Sequence, residues 1–585
     1  MVQFNKMKIK LAKLDNKEFR AFGILAVLML LIAFINGTPF LFGDSFGYFH
    51  VGKVFTTQGV YPSSDVPDYY PYTGHAVSYF NEEYITPYSV GQGILWIPFL
   101  FVSAVFDNGT TFDNYYKAFN GHSLADGLAV LLAACVASYL GIIFTYLFLK
   151  ELGFSKRRSF FATLMVFLSL YLISYTFEQP GYSHVYEFFA YSGLLYSLLK
   201  CLSTKRALFL YIASIFAGLL VLIRVVDVVL IIPILALAVY RIRSKRPLLI
   251  SAVILTVFAL IFLLYNYLSY GNAFTVGYNL SSNQSGISLG INIFNLLFSD
   301  TRGLFIWSPL ILLSVIGLVW YSLKSKTAIL IFLLPSILLL AVYNFWSNWW
   351  AGVSAGQRFF IVLTPLFALG IAYLLEKIKY KSVIKAAVLI TTFYSLIVGV
   401  LYRVTPILSV ANDFRLPEPS RTTPAEEDYR VSDLFRYHYR LLTQSGGVQN
   451  YLNNLTGSLN GGRSLILLTL GATDPLVKVE AISSQEYRVH FIPSNTQKNI
   501  TTNTFVVFAS DNIVKSYVIP NMNYKYYSVI AIKCDAQLNC NSSDIDLVKA
   551  QTDITELELI NVSYNIKMYI YGESTKLNFI NRKLK

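Results

Sequence analysis

The chain has 585 residues, 55% of them hydrophobic and only 14% charged, with a mean hydropathy of +0.51. That is more apolar material than one water-soluble core of this length holds, so lipid is the expected solvent. The formal net charge of +14 does not call for nucleic acid, because a polytopic membrane protein carries excess Lys and Arg in its cytoplasmic loops.

The basic amino terminus, from Lys6 to Arg20, leads into an apolar run too long for the core of a cleavable signal and without a small-residue cleavage site. It reads as a first transmembrane helix that starts inside, over roughly 19–42. Further spans are expected at roughly 122–149, 159–177, 184–201, 207–223, 226–240, 248–268, 304–323, 327–345, 359–375 and 384–402. The basic clusters STKRA, RIRSKR, KSK and EKIKYK then all fall in the cytoplasm. The run at 90–106 would invert every later loop if it spanned alone; it is short, opens near Gly91 and Gly93, and reads as a helix in the interface.

The expected fold is thus a polytopic α-helical membrane protein with about 11 transmembrane helices. Residues 1–402 would form the membrane domain, with a long external loop at 43–121. Residues 403–585 would form an extracytoplasmic, mainly β domain, because YRVHFI, TFVVFAS, YYSVIAI and IKMYIYG alternate apolar and polar positions. Cys135 and Cys201 lie in apolar runs and read as small core residues. Cys534 and Cys540 flank a short polar stretch, which suits either a local disulfide in an oxidising compartment or two free thiols.

Short basic inner connections and long outer ones that carry the unusual residues put a site on the outside. Asp44, in GDSFGYF, stands at the external end of the first helix. There it either takes a proton from an acceptor hydroxyl or caps the next helix. Arg358 closes WSNWWAGVSAGQRFF, where a guanidinium suits a phosphate, whether of a substrate or of a phospholipid. Asp300 and Arg302 could hold a phosphate or each other. Arg224 and Asp227, three apart, read as a structural ion pair. His184 between Glu178 and Glu187 lacks the second histidine that a metal site would want.

Four stretches together resemble the polytopic glycosyltransferases of the GT-C superfamily, the class of protein O-mannosyltransferases (glycosyltransferase family 39) and bacterial aminoarabinose transferases. They are GDSFGYF, YITPYSVGQGILWIPF, GYNL with FSDTRGLFIWSP, and WWAGVSAGQRFFIVLTP. Val90 and Asp300 stand where the family pattern has Pro. The resemblance covers the membrane part and leaves the carboxyl-terminal domain unassigned. It implies an inverting transfer of a monosaccharide from a polyprenyl-phosphate-linked donor to a protein, lipid or glycan acceptor, in a multi-pass cell-membrane protein. It also implies Asp44 as general base, Arg358 with Arg302 on the donor phosphate, and Tyr48, Tyr84 and Tyr88 around the sugar. No cofactor is expected, and a divalent metal is not indicated. A multi-span transporter and a non-catalytic envelope assembly protein are the competing readings.

Overall fold

The computed structural model of the chain describes residues 15–36, 44–59, 83–106, 122–242, 244–275, 292–346, 349–351 and 354–404, with shorter pieces elsewhere and the backbone of strands between 476 and 579. Cys534 and Cys540 lie outside the described residues, whereas Cys135 and Cys201 are buried and free. The chain divides into two compact units, one of residues 1–105, 125–403 and 421–441, the other of 106–124, 404–420 and 442–585.

The first unit is helical. Its helices are α1 (Asn16–Asn36), α2 (Asp44–Thr57), α3 (Gly91–Phe106), α4 (Leu124–Glu151), α5 (Lys156–Ser169), α6 (Leu172–Phe177), α7 (His184–Thr204) and α8 (Ala207–Ile223). There follow α9 (Val228–Arg241), α10 (Lys245–Tyr270), α11 (Ile293–Phe298), α12 (Leu304–Trp307), α13 (Leu310–Ser322), α14 (Lys326–Asn344), α15 (Thr364–Lys377) and α16 (Lys381–Val404). A two-stranded antiparallel ribbon, β1 (Ser78–Phe80) with β2 (Glu83–Ile85), precedes α3.

Among the described residues, five helical stretches are long and apolar enough to cross a membrane: Leu124–Glu151, Lys245–Tyr270, Lys326–Asn344, Arg358–Lys377 and Lys381–Tyr402. Burial sorts them. The Arg358–Lys377 stretch is 94% buried and forms the centre of the unit, while Lys245–Tyr270 is 11% buried and turns Leu249, Val253, Leu260 and Leu264 outward. Large apolar side chains turned outward along a whole helix are what a lipid-facing surface looks like. The run expected to lie in the interface is helical as α3, with 16 residues and Pro98 inside it; about 24 Å of helix falls short of a hydrocarbon core.

Several expected spans are not single helices. The stretch 159–177 breaks between α5 and α6 at Tyr171, which adopts a left-handed φ of 58°. The stretch 304–323 breaks between α12 and α13 at Ser308 and Pro309, because Pro lacks the N–H that a helix interior needs. The two breaks meet: Ser308 Oγ donates to the Ser169 carbonyl at 2.7 Å, and Tyr171 Oη donates to the Trp307 carbonyl at 2.6 Å. Each break thus satisfies a carbonyl that the other frees, which is how broken helices are tolerated away from water. The stretch 359–375 likewise starts as a 3-10 turn over Arg358–Leu363 before α15, and α14 carries a π turn over Ile329–Leu333.

Small residues let α13 and α15 touch through their backbones. A Cβ on Gly370 would lie 1.9 Å from the Ser314 carbonyl oxygen, and one on Gly317 would lie 2.1 Å from the Gly370 oxygen. Small-to-large changes at such a contact force the backbones apart. Gly370→Ala is therefore expected to lower stability by about 1–3 kcal/mol, read as an earlier thermal transition of the purified protein in detergent. An unchanged transition would show that this contact does not hold the unit. Ion pairs add ties elsewhere: buried Lys200 with Glu151 at 3.0 Å joins α7 to α4, and partly buried Lys53 with Asp126 at 2.7 Å joins α2 to α4.

In the second unit the described backbone contains two four-stranded sheets, ordered β10-β3-β4-β5 and β6-β7-β9-β8. Their strands are β3 (Leu476–Ala481), β4 (Glu486–Ile492), β5 (Thr504–Phe508), β6 (Tyr517–Pro520), β7 (Tyr526–Lys533), β8 (Glu558–Ser563), β9 (Ile566–Tyr571) and β10 (Asn578–Phe579).

Candidate active site

Asp44 is the first residue of α2, where the helix dipole favours a negative charge. Its neighbours Ser45, Phe46, Gly47, Tyr48, Phe49 and His50 are buried, so the helix is held on several sides while the carboxylate keeps 23% of its surface. Tyr88 Oη donates to Asp44 Oδ1 at 2.6 Å. The ring of Tyr88 reaches that position by crossing α2 at Gly47, where a Cβ would lie 2.2 Å from Tyr88 Cδ2. Tyr48 packs against the other side of Tyr88, with ring centroids 5.0 Å apart.

The other carboxylate oxygen faces Arg358. Its Nη1 lies 3.3 Å from Asp44 Oδ2, across 314 positions of sequence. The segment before Arg358 is fixed by its backbone: Tyr175 Oη donates to the Ala355 carbonyl at 2.8 Å, and Gln357 Nε2 donates to the Trp349 carbonyl at 2.9 Å. Gly356 has a φ of +64° and lies flat on the Tyr171 ring, so the chain turns there as only glycine does readily. The Asp44 carboxylate beside it offsets part of the cost of burying the Arg358 guanidinium. Its Cζ sits 5.0 Å from the Tyr182 ring centroid, and its buried Nε has no hydrogen-bond partner among the described residues.

Behind Tyr182 lies a second tier of charge. The Tyr182 ring stacks on His184 at 6.4 Å and 17°. His184 Nδ1 lies 3.5 Å from Glu187 Oε2, and Ser183 donates to Glu187 Oε1. Arg224 Nη1 stands 3.6 Å from Glu187 Oε1, with its guanidinium over Phe359 at 5.0 Å and Tyr343 at 5.6 Å. The expected pair of Arg224 with Asp227 is not made, because α8 ends at Arg224 in extended backbone and that places it against α7 instead. Asp227 is buried, and neither of its carboxylate oxygens has a hydrogen-bond partner among the described residues. Among the described residues no group of three or more His, Cys, Asp or Glu side chains is placed to hold a metal ion.

Asp300 and Arg302 do not pair with each other either. Asp300 accepts from the backbone N–H of Ser432 at 3.3 Å and from its hydroxyl, so it anchors a later segment of the same unit. Arg302 is fully buried, donates to the Thr301 carbonyl at 2.7 Å, and lies over Trp307 at 4.6 Å and Tyr402 at 5.3 Å. None of the described contacts joins it to Asp44 or Arg358.

Of the three tyrosines expected around a sugar, Tyr88 reaches Asp44 through its hydroxyl and Tyr48 supports it, while Tyr84 contributes its backbone. His50 Nε2 lies 2.7 Å from the Tyr84 carbonyl. Burial pushes the His50 imidazole down to about 4, so at neutral pH it is uncharged and its Nε2–H donates. Tyr182 and Tyr175 were missed by sequence reasoning. Tyr182 lies between Glu178 and His184, which stand out in the sequence by their charge and leave the aromatic residue between them unmarked.

The site therefore presents an oriented, partly exposed carboxylate beside a cation whose Nε has no hydrogen-bond partner among the described residues. Such a pair can take a proton from one group while neutralising charge that develops on another.

No protein-family model and no curated protein matches the chain. Among solved structures it is similar to the Archaeoglobus fulgidus oligosaccharyltransferase in complex with Zn and sulfate, at 14% identity and a TM-score of 0.40, over 64% of this chain and 52% of that one. It is also similar to ArnT from Cupriavidus metallidurans bound to undecaprenyl phosphate, at 10% identity and a TM-score of 0.41, over 94% of this chain and 98% of that one. The chain spans about half the length of the archaeal enzyme.

Proposed function

We propose that the chain is an inverting membrane glycosyltransferase that moves a monosaccharide from a polyprenyl-phosphate-linked donor to an extracytoplasmic protein, lipid or glycan acceptor. The single observation that carries this reading is the contact of Asp44 with Arg358 at 3.3 Å. It sets a base and a phosphate-sized cation side by side where apolar helices end. Asp44 takes the proton of the acceptor hydroxyl as its oxygen attacks the anomeric carbon from the face opposite the phosphate. The sugar–phosphate C–O bond breaks with its electrons on the phosphate. Arg358 meets that growing charge, and its contribution rises toward the transition state. In this reading Arg302, whose guanidinium lies over Trp307 and Tyr402, also serves the donor phosphate. Tyr48 and Tyr84 complete the wall around the sugar.

A lipid-linked donor fits a protein whose outer helices turn apolar side chains outward, since such a donor reaches the site sideways and presents its phosphate at the interface. In this reading the amino terminus is cytoplasmic, the chain crosses about eleven times, and residues 403–585 lie outside the cell membrane. The test is transfer of labelled sugar from synthetic polyprenyl-phosphate donors by the purified protein in lipid. Label leaving the donor in proportion to protein is the expected result. No turnover with any donor, together with uptake of a solute into sealed vesicles, would replace this reading with a transporter.

A further inference from the structure

The buried side chains of α10 pose a question about its purpose. It is the most outward-facing of the five long apolar stretches, and apart from Ser251 its buried residues are Tyr265, Asn266, Ser269 and Tyr270, all at its carboxyl-terminal end. Both tyrosine hydroxyls donate to one short stretch of backbone. Tyr265 Oη binds the Tyr88 carbonyl at 2.8 Å, and Tyr270 Oη binds the Thr86 carbonyl at 2.8 Å.

The same stretch is held from its other side. His50 of α2 donates to the Tyr84 carbonyl at 2.7 Å, and the Thr86 N–H donates to Tyr61 Oη at 3.1 Å. The Tyr61 ring in turn stacks on Tyr265, at 5.3 Å and 20°. The carbonyls of residues 84, 86 and 88 thus each accept from a side chain of α2 or α10. This holds a segment that leaves its β-ribbon at Ile85. Buried carbonyls need partners, but partners from two separate helices on alternate residues set the path of the segment as well. At its end stands the phenol that donates to Asp44.

We propose that Tyr265 and Tyr270 are positioning residues, which clamp the Thr86–Tyr88 backbone so that the Tyr88 hydroxyl meets the Asp44 carboxylate. The clamp rests on the reading of Asp44 as the base. Tyr265→Phe keeps the ring and its stack on Tyr61 and removes the donor to the Tyr88 carbonyl, together with the hydroxyl's contacts to Tyr61 and Ser269. Tyr88 then leaves Asp44, which loses a hydrogen bond that favours its ionised form. Tyr88 and Arg358 are the titratable and charged groups described against that carboxylate.

The test uses the full chain in lipid as Tyr265→Phe, Tyr88→Phe and the double variant, with two readouts. In donor turnover, each single variant is expected to lose about three- to tenfold in kcat, the worth of one hydrogen bond, with little change in KM. The acid limb of the pH profile should move to higher pH in both, and the double variant should lose no more than Tyr88→Phe alone, as residues acting through one contact do. The second readout needs no turnover: an apolar carbodiimide attacks protonated carboxyls, and mass spectrometry follows the labelling of Asp44. Both single variants should label Asp44 faster, and by a similar factor. Faster labelling in a protein that transfers no sugar would uphold the clamp and sink the proposed reaction. Labelling unchanged by Tyr265→Phe, or losses that multiply in the double variant, would overturn the clamp whatever the turnover shows.

Discussion

Asp44→Asn is expected to reduce sugar transfer by about a hundred- to ten-thousand-fold, the usual contribution of a positioned general base, while leaving the thermal transition of the protein in place. The amide has the shape of the carboxylate and its oxygen still accepts from Tyr88, so α2 keeps its contacts. What it loses is the capacity to take a proton. It also loses the charge that Arg358 faces at 3.3 Å, which frees that guanidinium for a phosphate, so donor affinity is expected to hold or improve. The loss therefore belongs in kcat and not in KM. Steady-state kinetics with a labelled donor decides it: a variant that turns over at the parent rate removes Asp44 from the reaction, and a rise in KM alone makes it a binding residue.

Arg358→Ala should cost about 2.7–4 kcal/mol of transition-state stabilisation, or two to three orders of magnitude in kcat, if the guanidinium stabilises the leaving phosphate. Arg358→Lys should recover only part of this. An ammonium supplies the charge but not the planar fork that meets two phosphate oxygens, and it stacks less well over Tyr182, which now lies 5.0 Å from the guanidinium carbon. Pairing each change with Asp44→Asn gives a further check, because groups that act in one step do not add. If Ala and Lys variants kept parent kcat and lost only affinity, Arg358 would hold the donor equally in ground and transition states. Full activity in both would remove it from the site.

The parts of the site are visible in the sequence to different degrees. The apolar runs were plain, because a segment that must satisfy its own backbone in lipid leaves an unmistakable stretch of hydrophobic residues. Asp44, Arg358 and Tyr88 stood out as polar or aromatic groups where those runs end. Their convergence did not, since nothing local links residues 314 positions apart. The breaks at Tyr171 and Ser308 were hidden for the same reason. Hydropathy reads straight through them, and only the exchange of hydrogen bonds between the two breaks makes them tolerable.

Charge pairing was the least legible feature. Arg224 with Asp227 and Asp300 with Arg302 are close in sequence; the first two read as an ion pair, while the second two could hold a phosphate or each other. In the folded chain Arg224 turns to Glu187, Asp300 to Ser432, and Arg302 to an aromatic cage. Sequence by itself determined the apolar character of the helices and which residue types stood at their ends, because those depend on the transfer of each segment between water and lipid. Tertiary structure alone decided which of those residues meet, because a buried charge or carbonyl is satisfied by whatever the packing of other helices brings within about 3 Å of it.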